Sequence, residues 1–450
     1  MSENSPPPEK RRRFRVVLPP FPTWDSIKRW PRSLLRLRLE TTDDHNAWNL
    51  CVEILWASIM SVAAAFNAAF AVRLGAQNTH VGLLSSLPAL LAALISIPAG
   101  RFLERRARRK TWVLGSLFIH RLGFLLVILV PWLPGVANKG AVLVALLVAI
   151  GAPAHFFGVG FNSMLADVIP ERRRAAVFAT RNIINTSILS VGMLLAGQWL
   201  DSITFPANYQ VMYGVGFLAS MLSSFYLLKI QVPDASAAAR RTGGARSLKA
   251  RWRELRGIAR AEPDFVRIIV DTLLYGLGAW AAAPLYILYF VRELDASDAW
   301  IGLHGMVANV AAIAGYALWR HLIERWGTSK SLKLTVMGAG LYPLLLGLIP
   351  HLTPILFVAG LNGLIVPGVN LSHFTTLLKV CPKDRRPSFI GFYTTVMNVG
   401  AFLSPLLGVA LADCFGLGPT LVGCGVFWLL GAQMFRVWPV RERADVPDDA

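Results

Sequence analysis

The sequence predicts an all-α chain that crosses a membrane twelve times, arranged as two six-helix halves, and three observations carry that prediction. Composition comes first: 54% of the 450 residues are hydrophobic and the mean hydropathy is +0.50. A water-soluble fold of this length could not bury so much apolar surface. The second observation is run length. Residues 81–99 hold no charged side chain, and residues 111–134 are apolar except for His120 and Arg121, so each matches the roughly 20 residues needed to cross a bilayer. Third, the chain repeats itself. Residues 100–110 (Gly-Arg-Phe-Leu-Glu-Arg-Arg-Ala-Arg-Arg-Lys) return at 320–330 as Arg-His-Leu-Ile-Glu-Arg-Trp-Gly-Thr-Ser-Lys, placing Glu104 on Glu324 and Lys110 on Lys330 at an offset of 220. The same offset sets Phe70, Leu74, Ala76 and Gly82 on Phe290, Leu294, Ala296 and Gly302.

In chain order, residues 1–45 read as a cytoplasmic basic tail. Pro6 to Pro8 and Lys10 to Arg13 lead into Trp24, Ile27, Trp30, Leu34 and Leu35 interleaved with Lys28, Arg29, Arg32 and Arg36. That pattern predicts an amphipathic helix on an anionic lipid surface, with no apolar core of a cleaved signal peptide. Spans are expected at 46–73, 79–101, 111–134, 140–166, 175–200 and 207–229, then at 265–291, 299–321, 331–350, 353–378, 387–413 and 418–438. They must be helical, because lipid offers no water to an open strand edge. The first six make an N-terminal bundle, 46–229, and the last six a C-terminal bundle, 265–438. Between them 230–264 is a cytoplasmic linker rich in Ala and Arg, and 439–450 is a cytoplasmic tail.

Charge fixes the expected orientation. Of 45 Lys and Arg, only Arg73, Lys139 and Arg292 fall in loops on the side opposite residues 100–110. By the positive-inside rule the basic loops, and with an even number of spans both termini, lie in the cytoplasm, at a plasma or bacterial inner membrane. The net charge of +19 is therefore topology and not a nucleic-acid footprint. Cys51, Cys381, Cys414 and Cys424 show no C-x-x-C spacing, so neither a disulfide framework nor a metal site is expected. Residues 327–331 (Gly-Thr-Ser-Lys-Ser) lack the adjacent Gly-Lys of a phosphate loop. No cofactor is called for, no cluster of acids or histidines suggests an enzyme, and energy is expected to come from a gradient.

The basic loop carries a resemblance. Gly100, Arg105, Arg108 and Arg109 stand as in Gly-x-Leu-x-Asp-Arg-x-Gly-Arg-Arg/Lys, with Glu104 for the Asp and Ala107 for the second Gly. Found between the second and third spans, with a degraded copy at Glu324 and Arg325 between the eighth and ninth, it resembles the signature of major facilitator superfamily transporters. A third pair supports the repeat, since Asp-Val-Ile-Pro-Glu-Arg-Arg-Arg at 167–174 answers Lys-Val-Cys-Pro-Lys-Asp-Arg-Arg at 379–386, with Pro170 on Pro382 and Arg173 on Arg385. The resemblance implies alternating access around a midplane site, and a latch in which Glu104 faces the start of the eleventh span near Pro387 and Ser388. A carboxylate there gains roughly 0.3–1 kcal/mol from the helix dipole. Glu324 near Ala175 would be its mate. Many drug/proton antiporters of the superfamily carry a Gly-Pro motif in span five, which Ser-Val-Gly-Met-Leu-Leu-Ala-Gly at 190–197 lacks.

Function is expected from the few ionisable residues within spans, because each is costly in lipid. Counting about 1.5 Å per residue from the basic edge sets His120, Arg121 and His155 near mid-membrane. Glu53, Arg181, Asp271 and His373 come out shallower. Arg121 needs a partner, for which Glu53 is the candidate, as a proton and anion site or as a structural ion pair. His155 titrates near neutrality or packs as a core histidine. Asp271 is a proton site raised by desolvation, or a helix-start acid paired with Arg267. Arg181 and His373 are candidate substrate contacts. Tyr275, Trp280, Tyr286, Tyr289, Asn49, Asn67, Asn362 and Asn370 suit a mostly apolar pocket with a few polar handles. The reading is a monomeric secondary transporter of a small organic molecule, with protons as the coupling ion and efflux preferred. Organic-anion uptake through Arg121 and Arg181, or a non-transporting sensor or scaffold, are the alternatives.

Overall fold

The computed structural model describes residues 41–106, 108–232, 262–382 and 386–439. The expected amphipathic helix, most of the linker and Arg385 lie outside the described residues. Every regular element described is helical, and twelve helices are long and apolar enough to span a membrane. They are α1 Thr42–Arg73, interrupted at Phe66, α2 Asn78–Glu104, α3 Arg109–Leu129, α4 Lys139–Val168, α5 Glu171–Ser202 and α6 Ala207–Lys229. The second half holds α7 Pro263–Leu288, α8 Asp298–Trp326, α9 Thr328–Leu348, α10 Leu352–Val380, α11 Arg386–Phe415 and α12 Leu417–Val437.

Most helices outrun the apolar stretches that announce them. The extra turns hold charged residues whose long side chains reach the interface while their backbone bonds continue the helix. The basic repeat is affected most. Residues 322–326 were expected in a loop but complete α8, and a single residue, Gly327 at φ +82°, turns the chain into α9. Only Gly adopts that backbone without strain. Prolines stand inside α2, α4, α7, α9, α10 and α11, where neighbouring helices shield the freed carbonyls from lipid. Ahead of α1, Thr41 and Asp44 form a reciprocal cap. The Asp44 amide donates to Thr41 Oγ1 at 3.2 Å, and the Thr41 amide donates to the Asp44 carboxylate at 3.2 Å.

From Asn46 onward the helices belong to one compact unit. The halves meet along two helix pairs, α5 with α8 and α2 with α11. How far they meet differs between the two ends. At the end away from residues 100–110, one apolar cluster runs through both halves, from Phe66, Phe70, Leu143 and Tyr213 to Leu288, Phe290, Ile301 and Leu417. At the basic end the core divides. Leu50, Leu117, Leu165, Val177 and Leu227 form a cluster within the first half, while Phe265, Val336, Leu377, Phe389 and Phe435 form another within the second.

Candidate functional site

In the first half, α1, α3, α5 and α6 bring Glu53, Arg121 and Arg181 together with three serines. Ser220, Ser223 and Ser224 are spaced i, i+3 and i+4, so they share one face of α6. Arg121 Nη1 donates to the Ser220 carbonyl at 2.5 Å and to Ser224 Oγ, and Nη2 donates to Ser223 Oγ at 2.7 Å. Ser223 in turn donates to Glu53 Oε1 at 2.9 Å. The other oxygen of Glu53 accepts from Arg181 Nη1 at 2.7 Å, and the same nitrogen donates to the Leu50 carbonyl. All three charged residues are buried, at 4%, 5% and 8% exposure for Glu53, Arg121 and Arg181. Such charges persist inside a protein only when paired and hydrogen-bonded.

The expected pairing is thus redistributed. Glu53 stands 3.9 Å from Arg121 and 2.7 Å from Arg181, so its close partner is Arg181. Arg121 is held mainly by α6, whose serines sequence reasoning did not single out; their Ser-x-x-Ser-Ser spacing in an apolar helix was the available signal. One carboxylate serves two guanidiniums, which leaves the cluster a net cation. The bonds described for Arg181 use only Nη1, and its guanidinium carbon lies 5.3 Å from the Phe161 ring centre.

In the second half Asp271 is fully buried on α7, and both of its carboxylate oxygens lack a hydrogen-bond partner. Arg267, the expected alternative partner one turn earlier, makes no hydrogen bond to it. Arg267 Nη1 donates to Asp264, its i, i+3 neighbour at the helix start, at 2.7 Å. Beside Asp271, Thr272 Oγ1 and His373 Nε2 stand 2.8 Å apart, and Tyr393 Oη lies 3.3 Å from the same nitrogen. His373 therefore belongs to a polar knot joining α7, α10 and α11. His155 is half-buried on α4. Its neighbour in depth, His120, points Nδ1 at the Ile150 carbonyl, 2.7 Å away. Asn185, in a glycosylation-like triplet, lies within α5 and accepts from Ser58 Oγ at 2.9 Å.

At the basic end a cavity of about 470 Å³ opens within the first half, lined by Gly100, Glu104, Arg108, Arg109, Ser163 and Asp167 among others. Glu104 closes α2 and is exposed, as are Arg105 and Arg108. Arg173 is half-buried. Glu324 pairs with Arg320 on its own helix at 3.7 Å, and Arg325 is exposed; the side chain of Ala175 lies outside the described residues. The side chains of Pro387 and Ser388 lie outside the described residues.

Comparison with known proteins completes the assignment. The family model described as Major Facilitator Superfamily matches residues 50–270 and again 268–450, one match for each half. A Deinococcus radiodurans protein named "Putative sugar efflux transporter" is 27% identical over 393 residues, covering 85% of this chain and 94% of that protein. "Multidrug resistance protein MdtG" of Dickeya zeae is 26% identical over 182 residues, covering 37% of this chain and 43% of that protein. Among solved structures, a bacterial homolog of the human lysosomal transporter Spinster, in an inward-facing and unoccupied conformation, superposes with TM-score 0.63 at 14% identity, covering 90% of this chain and 100% of that one. The nucleoside transporter NupG superposes with TM-score 0.64 at 10% identity, covering 87% and 99%. Twelve membrane helices in two repeated halves, the basic motif after α2 and a family match along both halves make this chain a member of the major facilitator superfamily, a multi-pass membrane transporter and not an enzyme.

Proposed function

We propose that the protein exports a small organic molecule in exchange for protons, with the basic end and both termini in the cytoplasm. The observation that carries the coupling ion is Asp271. A carboxylate with no hydrogen bond to either oxygen, at zero exposure, is too costly to hold as an anion. That setting favours the neutral acid, which can lose its proton once the helices around it part and admit water. Efflux is supported by the relatives named as sugar and multidrug efflux proteins and by the basic-end division of the core, which offers substrate an entrance from the cytoplasm. The aromatic and amide side chains of α7 and α10 suit an uncharged or weakly polar molecule with apolar faces.

A second reading has its own observation. The net cation of the Glu53, Arg121 and Arg181 cluster, with Arg181 bonded through Nη1 alone, favours an organic anion that docks on Arg181. Under that reading Glu53 and the substrate compete for one guanidinium.

Proteoliposomes with a pH-sensitive dye inside separate these readings. Pooled sugars, amphipathic cations and organic anions are presented to wild type, Asp271→Asn and Arg181→Lys. Compound-dependent proton movement in wild type, lost in Asp271→Asn, is the expected result. Transport of a compound with proton flux intact in that variant removes Asp271 from the coupling. Transport limited to anions and abolished by Arg181→Lys replaces the first reading by the second.

A further inference from the structure

At the end away from the basic loops, the two halves are tied by arginine bonds whose acceptors obey the internal repeat, while the arginines themselves, 219 residues apart, stand one residue out of that register. Arg73, at the end of α1, donates Nε to Asp298 Oδ1 at 3.0 Å and Nη2 to the Ala296 carbonyl at 3.1 Å. Arg292, in the π turn that follows α7, donates to Asn78 Oδ1 and to the Ala76 carbonyl. Ala76 and Asn78 are the residues that the offset of 220 sets on Ala296 and Asp298. Each half therefore extends an arginine to the equivalent acceptors on the other, from positions one residue out of register.

The acids beside them repeat as well. Asp201, at the end of α5, accepts from the amides of Asp298 and Ala299 at 3.0 and 3.1 Å, where α8 begins. Asp413, near the end of α11, accepts from Asn78 Nδ2 at 2.6 Å, where α2 begins. Asp201 and Asp413 differ by 212, the spacing that also sets Pro170 on Pro382. Beneath the polar layer the packing is paired too. Gly82 of α2 rests on Pro405 and Val409 of α11, and Gly302 of α8 rests on Met193 and Gly197 of α5.

We infer that Arg73 and Arg292 are the two arms of one exchanged latch, which holds the transporter shut at this end while the basic end is open. The charge distribution fits the placement: of three cations in loops on this side, two are these arms. The arms differ in chemistry for a local reason. Asp201 spends its oxygens on backbone amides, so Asp298 is free to remain an anion for Arg73. Asp413 sits directly on residue 78, which must donate to it while accepting from Arg292, and Asn does both where Asp could not. The geometry makes the arms parallel restraints, since either alone still joins α1–α2 to α7–α8.

The test uses the full chain in vesicles, with Cys51, Cys381, Cys414 and Cys424 replaced by Ala and Met193→Cys as reporter, because Met193 is buried between α5 and α8 at this end. A membrane-impermeant maleimide is added from the latch side. It needs no substrate and no proton gradient, so its outcome is independent of the proposed function. Arg73→Ala and Arg292→Ala alone are expected to raise the labelling rate by less than about threefold, and together by more than tenfold, about 1.4 kcal/mol. Asn78→Asp, which completes the repeat in sequence, is expected to raise it also, by setting two carboxylates side by side. The charge-reversed pair Arg73→Asp with Asp298→Arg guards against misfolding and is expected to label no faster than Arg73→Ala. Labelling of the double variant at the wild-type rate, or slower labelling in Asn78→Asp, would overturn the latch.

Discussion

Glu53 and Asp271 are both buried carboxylates in the membrane, yet their surroundings assign them opposite behaviour. Glu53 has Arg181 at 2.7 Å and Ser223 at 2.9 Å, so its charge is matched. Glu53→Gln leaves Arg121 and Arg181 without a counter-charge, and a loss of roughly 3–5 kcal/mol is expected on removing one partner of a buried ion pair. Denaturant titration in detergent checks it. Asp271 has no hydrogen-bond partner, and under the proposed function Asp271→Asn replaces a neutral acid by a neutral amide of equal size. Its stability should change by less than about 1 kcal/mol. A gain of several kcal/mol on the same titration would mean that the acid is ionised in this conformation and would remove it as the proton site.

At the scale of helices, the two contacts between halves are closed by glycines of unequal tolerance. A Cβ on Gly302 would stand 2.2 Å from the Met193 carbonyl oxygen, a backbone atom that cannot step aside. A Cβ on Gly82 would stand 2.9 Å from Val409 Cγ2, a side-chain methyl that can rotate. Gly302→Ala should therefore separate α5 from α8 at a cost of roughly 1–3 kcal/mol, the range for overpacking a tight contact, and Gly82→Ala should cost less. Disulfide crosslinking reads this directly, with cysteines placed on α5 and α8 for Gly302→Ala and on α2 and α11 for Gly82→Ala. Equal yields for the two variants would mean that the pairs are equally compliant.

For the molecule as a whole, alternating access requires the basic end to close when the latch end opens. Glu104, exposed at the end of α2, is proposed to meet the start of α11 in that other conformation. A carboxylate at an exposed helix N-terminus gains roughly 0.3–1 kcal/mol, so Glu104→Gln should shift the balance toward the basic-end-open form by about two- to fivefold. Cysteine accessibility measured from both sides would reveal it, and unchanged accessibility would remove Glu104 from the latch. The two closures would then differ in kind, a basic loop motif at one end and exchanged arginines at the other.

The sequence by itself determined the class of the protein. Twelve apolar runs, their separation by basic loops and the offset that sets Glu104 on Glu324 and Gly82 on Gly302 are consequences of lipid as solvent and of internal duplication, both of which act on local composition. It also marked Glu53, Arg121, Arg181 and Asp271, because ionisable residues inside apolar runs stand out whatever surrounds them. Which charge meets which was decided only by the tertiary structure. Arg181 lies 128 residues from Glu53 and Arg73 lies 225 from Asp298; those pairings depend on how helices rotate and pack, and no period along the chain records it. That Asp271 carries no hydrogen bond was equally hidden, since its neighbour Arg267 was in place by sequence and donates to Asp264 in space.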